Sequence, residues 1–273
     1  MRVGTMRRLV AAAAAVAALA PAGPAAAAPT WAPAGQATIH PGVQTVTAGG
    51  QCTANFVFYD ASDIYIGQAA HCSGTGGSTE TNGCDSGSLP VGTPVEVDAA
   101  SRPGTLAYNS WITMQAAGET DADTCQYNDL ALVKLDPSDV ANVNPSIPHW
   151  GGPNAVGAST ALRDKVYSYG NSSLRGGVQQ LSPKEGVQLS QDSGGWNHNV
   201  LTVTPGIPGD SGSAFIDREG RAFGVLSTLQ IAPLAGSNGV GDVSREVAYM
   251  QSHGGPQATL ATGTEPFRGP LLP

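Results

Sequence analysis

Three short stretches, far apart in the chain, carry the residue types that make an activated nucleophile. His71 follows Ala69-Ala70 and precedes Cys72; Asp129 follows Asn128 and opens the run Leu130-Ala131-Leu132-Val133-Lys134-Leu135; Ser211 sits in Gly209-Asp210-Ser211-Gly212. A serine hydroxyl attacks poorly at neutral pH unless a base stands within hydrogen-bond reach and a third group fixes that base in one tautomer. His71 and Asp129 supply those two types. Glycines flanking Ser211 let the backbone turn sharply enough to aim the N–H groups of Gly209 and Ser211 at a developing oxyanion.

Taken singly, each stretch has a plainer reading. A histidine beside a cysteine is more often structural than catalytic, and Gly-Asp-Ser-Gly is a run of turn formers. Asp129 could be the polar start of a half-buried strand whose Leu130, Leu132 and Lys134 share a solvated face. Their coincidence in the order His, Asp, Ser favours the chemical reading. Ser211, Asp242 and His253 follow the Ser, Asp, His order of an α/β-hydrolase, but Ser213 stands where the nucleophile elbow needs its last glycine. Ala214-Phe215-Ile216-Asp217 then reads as a strand, and His253 as the end of a surface helix.

Together the His71-Cys72 block, the Asp129 strand and the Gly-Asp-Ser-Gly block resemble the three signature segments of chymotrypsin-like (trypsin-fold) serine proteases, with the flavour of secreted actinobacterial members. The resemblance runs from about Cys52 to His253. It implies an all-β fold of two fused antiparallel β-barrels with a C-terminal helix. It also implies a serine endopeptidase working through an acyl-enzyme on Ser211, with His71 as base and acid, Asp129 orienting His71, and the N–H groups of Gly209 and Ser211 as the oxyanion hole. For the four cysteines the residues alone allow three connectivities; the resemblance implies Cys52–Cys72, which leaves Cys84 with Cys125.

The same resemblance lays substrate along Leu226-Ser227-Thr228-Leu229 and the residues ahead of Ser211, with Ser227 meeting the substrate backbone. Pro205, six residues before Ser211, falls where trypsin-like members carry an acid, and neither Ile207 nor Leu229 is charged. With Thr228 these residues are expected to receive a neutral, apolar or small side chain, because a basic one would lose its hydration without a partner. In the family the aspartate before the nucleophile is buried against a cation. Here the start of the second barrel reads Leu162-Arg163-Asp164-Lys165-Val166, so Arg163 is the first expected partner of Asp210 and Lys165 the second.

This chain departs from the family in two places. Gly212 is followed by Ser213-Ala214 where many relatives have Gly-Pro, and no Ile-Val-Gly-Gly-like start follows a basic residue; Thr47-Ala48-Gly49-Gly50 lies too close to Cys52 to serve. No cofactor is called for, and the absence of a Cys-x-x-Cys pair speaks against a metal site. Two other readings stand beside the endopeptidase: a catalytically silent binding protein on the same fold, whose usual mark of a substituted triad member is missing, and an esterase acting on small acyl substrates.

The elements that must position these residues are short. Charged residues make up only 12% of the chain, while glycine numbers 36 and proline 20, which implies strands and frequent turns rather than helices. Phe56-Val57-Phe58-Tyr59 with Asp63-Ile64-Tyr65-Ile66, and residues 213–217 with 222–229, read as hairpins. Val243 to His253 is the one clear helix, with Asp242 as a possible cap. A linker is expected at Asn144-Pro145-Ser146-Ile147-Pro148. It divides residues 45–254 into a first barrel of about 45–142, holding His71 and Asp129, and a second of about 149–254, holding Ser211.

Arg2, Arg7 and Arg8 precede an apolar stretch from Leu9 to Ala20, with small residues at Ala25 to Ala28, so residues 1–28 read as a secretory signal peptide. Residues 29–44 form an N-terminal segment, and the Gly/Pro-rich residues 255–273 a loosely held tail. Losing three arginines takes the basic count from 13 to 10 against 21 acidic residues, a net charge of −11. That balance and the lack of any basic stripe or second long apolar run argue against nucleic acid and against a membrane after signal removal. The expected partner is a protein or peptide substrate, met by a secreted, extracellular monomer.

Overall fold

The computed structural model describes residues 29–77, 80–157, 161–230 and 234–269; the expected signal peptide lies outside them. Seven strands come from the first half: β1 (Gln44–Thr47), β2 (Gly50–Thr53), β3 (Val57–Tyr59), β4 (Ile64–Ala69), β5 (Pro94–Val97), β6 (Gly104–Asn109) and β7 (Leu130–Lys134). Seven come from the second: β8 (Ala155–Val156), β9 (Lys165–Tyr169), β10 (Pro183–Asp192), β11 (Asn197–Thr202), β12 (Ala214–Asp217), β13 (Arg221–Gln230) and β14 (Ser237–Asp242). A last short strand, β15 (Thr259–Leu260), returns to the first sheet and completes the order β15-β3-β4-β7-β6-β5-β1-β2.

In the second sheet β12-β9-β10-β11-β14-β13 closes on itself, because β12 also pairs with β13; β8 adds to β13 in parallel. Closure removes the open edges that six antiparallel strands would otherwise present. Both expected hairpins form, β3 with β4 and β12 with β13, all antiparallel. Among the described residues the fold is all-β apart from three α-helices, of which the C-terminal one was expected.

Burial follows from strand chemistry. Ile66, Leu106 and Val133 lie in one apolar cluster within the first sheet, and Val166, Val200, Phe215 and Phe223 in another inside the closed barrel. Between them a third cluster joins Phe56, Phe58 and Leu132 of the first sheet to Tyr167, Ile216 and Val225 of the second, so the two halves share an apolar interface. Each such side chain contributes about 1.5–3 kcal/mol on burial. Residues 130 to 133 of β7 are fully buried. No face of that run stays wet, because the sheet packs on one side and the second half covers the other.

Helix α3 (Val243–Ser252) starts on Asp242, whose side chain accepts the Arg245 N–H, and ends at His253. Two further helices lie outside the expectation. In α1 (Ser110–Ala117), Asn109 caps the first turn and Gly118 ends it in the left-handed region; in α2 (Ala122–Tyr127), Asp121 is the cap. No helix among the described residues is long and apolar enough to cross a membrane.

The C-terminal segment is the clearest correction. Residues 255–269 are tied down: Ala258, Leu260 and Ala261 are buried, the Arg268 N–H donates to Trp150 O at 2.7 Å, and Phe267 packs edge-on against Tyr167. Composition suggested a loose tail, but glycine and proline here shape an extended strap whose few apolar side chains find the inter-sheet cluster.

Candidate active site

His71 lies in a single 3-10 turn, Ala70–Ser73, just after β4. β4 pairs with β7 so that Ala69 faces Leu130, and beyond the ladder the Ala70 N–H donates to Asp129 O at 2.8 Å. That register delivers the Asp129 carboxylate to His71 twice, with Oδ2 at 2.7 Å from Nδ1 and Oδ1 accepting the His71 backbone N–H at 2.9 Å. Asp129 is buried and His71 half-buried. Burial works against the charged imidazole, but the adjacent carboxylate outweighs it and the net shift of His71 is upward.

A third donor reaches Asp129 from the other half of the molecule. The β13–β14 ladder shifts register between Leu226 and Thr228, leaving Ser227 as the extra residue of a bulge. Bulges re-aim a side chain, and the Ser227 hydroxyl donates to Asp129 Oδ2 at 2.5 Å.

Ser211 is held by β2. The Thr53 N–H donates to Ser211 O at 2.8 Å, while Thr53 Oγ1 and Gln51 Nε2 donate to Gly209 O at 2.8 and 2.9 Å. Gly209 has φ +93°, in the left-handed region that favours glycine, and a Cβ there would press on the side-chain oxygens of Gln51 and Ser172 at 2.4 and 2.8 Å. With both carbonyls bound to the first half, no N–H of Gly209 or Ser211 donates within the protein among the described residues. Ser211 Oγ makes no hydrogen bond to His71 Nε2, yet both residues line the same cavity of about 900 Å³. Such contacts commonly tighten only when substrate is bound.

The partners of Asp210 differ from those expected. Its fully buried carboxylate meets Arg175 Nη2 at 2.6 Å and Lys184 Nζ at 2.9 Å, and it accepts the N–H groups of Ser172 and Ile207. Arg163 instead sits in an exposed turn at φ +69°, and Lys165 pairs with Glu185 on the surface at 2.6 Å. The reason is strand alternation: on β9 position 165 points outward, while on the paired β10 position 184 points inward and faces Ser168. Burial pulls the Lys184 ammonium down and the Asp210 charge opposes it.

Ile207, Ser227, Thr228 and Leu229 line the cavity, joined by Gly206 and Asn238. Pro205 does not; its carbonyl accepts from Arg175 Nη2 at 2.9 Å, so it anchors a cation that holds Asp210 rather than meeting the cavity. On the His71 side the cavity is walled by Trp111 of α1 and Tyr127 of α2, which the sequence reading missed. Asn109 and Gly118, a cap and a stop around α1, were the signal available for the first of these.

Cys52 is bonded to Cys72, with Cα atoms 6.1 Å apart, and Cys84 to Cys125 at 5.2 Å. The cluster of Cys52, Cys72 and His71 offers no metal site because both sulfurs are spent in the bridge. Of the alternative Ser, Asp, His set, Asp242 pairs with His198 at 2.9 Å and His253 stacks on Tyr249, and neither lines the cavity that Ser211 lines.

No protein-family model matches the chain. No curated protein matches it in sequence. Solved structures do resemble it. Thermobifida fusca Protease A is 17% identical, with a TM-score of 0.53 over 82% of this chain and 99% of that one. A glutamic-acid-specific serine protease is 14% identical, with a TM-score of 0.53 over 82% and 100%. Cellulomonas bogoriensis chymotrypsin is 15% identical, with a TM-score of 0.51 over 82% and 98%. Identities this low speak for architecture alone, and by architecture the chain has the chymotrypsin-like fold of these serine proteases.

Proposed function

We propose that the chain is a secreted serine endopeptidase with Ser211 as nucleophile. The observation that carries this reading is the 2.7 Å contact of His71 Nδ1 with buried Asp129 at the edge of the cavity that Ser211 also lines. Ser211 Oγ attacks the scissile carbonyl carbon as His71 Nε2 takes its proton. The carbonyl electron pair moves onto oxygen, where the N–H groups of Gly209 and Ser211 receive it. When the tetrahedral species collapses, the C–N bond breaks and His71 returns the proton to the leaving amine. Water repeats the cycle on the acyl-enzyme and frees Ser211. Asp129 holds His71 in one tautomer and stabilises the imidazolium.

Ile207, Leu226, Thr228 and Asn238 give one end of the cavity a neutral lining. Substrates with neutral, apolar or small side chains at the residue before the cut fit that chemistry. Export rests on residues 1–28 and on two disulfides, which persist in oxidising compartments. The test is labelling of the purified protein with a serine-directed phosphonate, followed by peptide mapping and a casein digest. Modification confined to Ser211 with loss of digestion supports the reading; unhindered digestion by Ser211→Ala protein overturns it.

A further inference from the structure

Behind the triad lies a carboxyl that this chemistry does not use. Glu246, in the first turn of α3, is fully buried, and its Oε1 accepts the backbone N–H of Asp129 at 3.0 Å. Among the described residues its Oε2 has no hydrogen-bond partner. The charges acting on it, Asp129 from the loop before β7 and Asp242 at the cap of its own helix, are both negative. The Tyr108 phenol of β6 also feels it. Asp242 is engaged elsewhere, with Oδ2 on His198 Nε2 and Oδ1 accepting the Arg245 N–H. Burial, with negative charges nearby, holds the Glu246 carboxyl well above the usual carboxylate range.

Room for this contact is built in. A Cβ at Gly241 would stand 2.6 Å from Glu246 Oε1 and 2.9 Å from Tyr127 O. Asp129 is thereby gripped on every polar atom. Its carboxylate holds His71 and Ser227, its carbonyl accepts from Ala70, and its N–H is taken by a side chain from the C-terminal helix.

We propose that Glu246 is a positioning residue for the triad, anchoring the Asp129 backbone and so fixing the angle at which its carboxylate meets His71. The proposal rests on the reading of Asp129 and His71 as working partners of Ser211. Its test therefore has one arm that needs no turnover: titration of the His71 imidazole by NMR in Ser211→Ala protein. The second arm is kcat and KM in otherwise wild-type protein.

Glu246→Leu removes the acceptor and Glu246→Asp withdraws it by one methylene, whereas Glu246→Gln keeps an oxygen in place. Both removing variants should lower the His71 midpoint towards its ordinary value and cut kcat about tenfold with little change in KM, as expected for one lost backbone hydrogen bond. Glu246→Gln should restore both readouts. If the leucine variant fails to fold, the aspartate variant decides. A His71 midpoint and kcat equal to wild type in the folded removing variants would overturn the proposal, as would a glutamine variant no better than leucine. Should Ser211 prove not to be the nucleophile, the turnover arm falls silent and the titration arm still answers.

Discussion

Ser227 and His71 share one oxygen: the hydroxyl of Ser227 lies 2.5 Å from Asp129 Oδ2, and His71 Nδ1 lies 2.7 Å from the same atom. One donor comes from β13 of the second sheet and the other from the turn that follows β4 of the first. The orientation of the base thus depends on the two halves being docked in register, through a residue whose side chain is turned by a bulge.

Ser227→Ala should therefore slow the chemical step more than it weakens binding. One hydrogen bond to a charged acceptor contributes about 1.5–3 kcal/mol, so kcat should fall by tenfold or more while KM moves little. Steady-state kinetics on a peptide amide checks this. A rise in KM at constant kcat would show that Ser227 serves substrate contact instead.

The pH profile follows from His71. Its pKa is raised above the ordinary 6.5, so the acidic limb of kcat/KM should have its midpoint above that value. Stability should run the other way. A protonated His71 stabilises the fold in full below the unfolded-state pKa, and that contribution is lost as pH rises through the folded-state value. Over this window activity climbs while the urea midpoint declines slightly. Asp129→Asn should bring the limb down, because the carboxylate supplies the upward shift; an unmoved limb would detach Asp129 from the base.

Asp210 has two cations, and either can neutralise it. Lys184→Met and Arg175→Met singly should each cost clearly less than the pair together. The double variant leaves a buried carboxylate unpaired, at about 3–5 kcal/mol, and should slow acylation because residues 209–211 lose their anchor. Denaturant unfolding of the four proteins gives the coupling directly. Additive losses would mean that the two cations act separately, and undiminished acylation in the double variant would uncouple Asp210 from the oxyanion turn.

The bridges should differ in kind. Cys52 lies between Gln51 and Thr53, which hold the carbonyls of Gly209 and Ser211, and Cys72 follows His71. Replacing both by serine should cost about 3 kcal/mol and much of the activity as well. The Cys84–Cys125 pair ties the loop after His71 to α2, so its loss should lower stability with a smaller kinetic effect. Urea curves and rates on the two double-serine proteins separate the cases; equal kinetic losses would refute the distinction.

His71, Asp129 and Ser211 could be picked out of the sequence because a short local pattern surrounds each. Nothing local marks Lys184 or Arg175. Lysine is rarely buried, and its inward position becomes apparent only once β10 is paired with β9 in register. Nothing local marks Glu246 on its helix either, and its contact with Asp129 spans 117 residues. In α1 the apolar residues do not gather on one face, so periodicity gave no cue although Asn109 and Gly118 bracket the helix. The segment after α3 misled for a related reason: glycine and proline report local backbone freedom, and the strap is held by distant groups.

That strap bears on how the molecule folds and how it resists cleavage. Asn144, in the connection between the halves, donates to Ala32 O at 2.6 Å and to Thr264 Oγ1 at 2.8 Å, so the N-terminal segment, the connection and the strap are tied at one knot. The first sheet gains its edge strand β15 only when residues 259–260 arrive, long after its other seven strands. Contacts that distant close slowly in folding, and once closed they retard unfolding. A connection bound from both sides offers no slack peptide to a protease, and cleavage there would have to wait for rare opening of the fold.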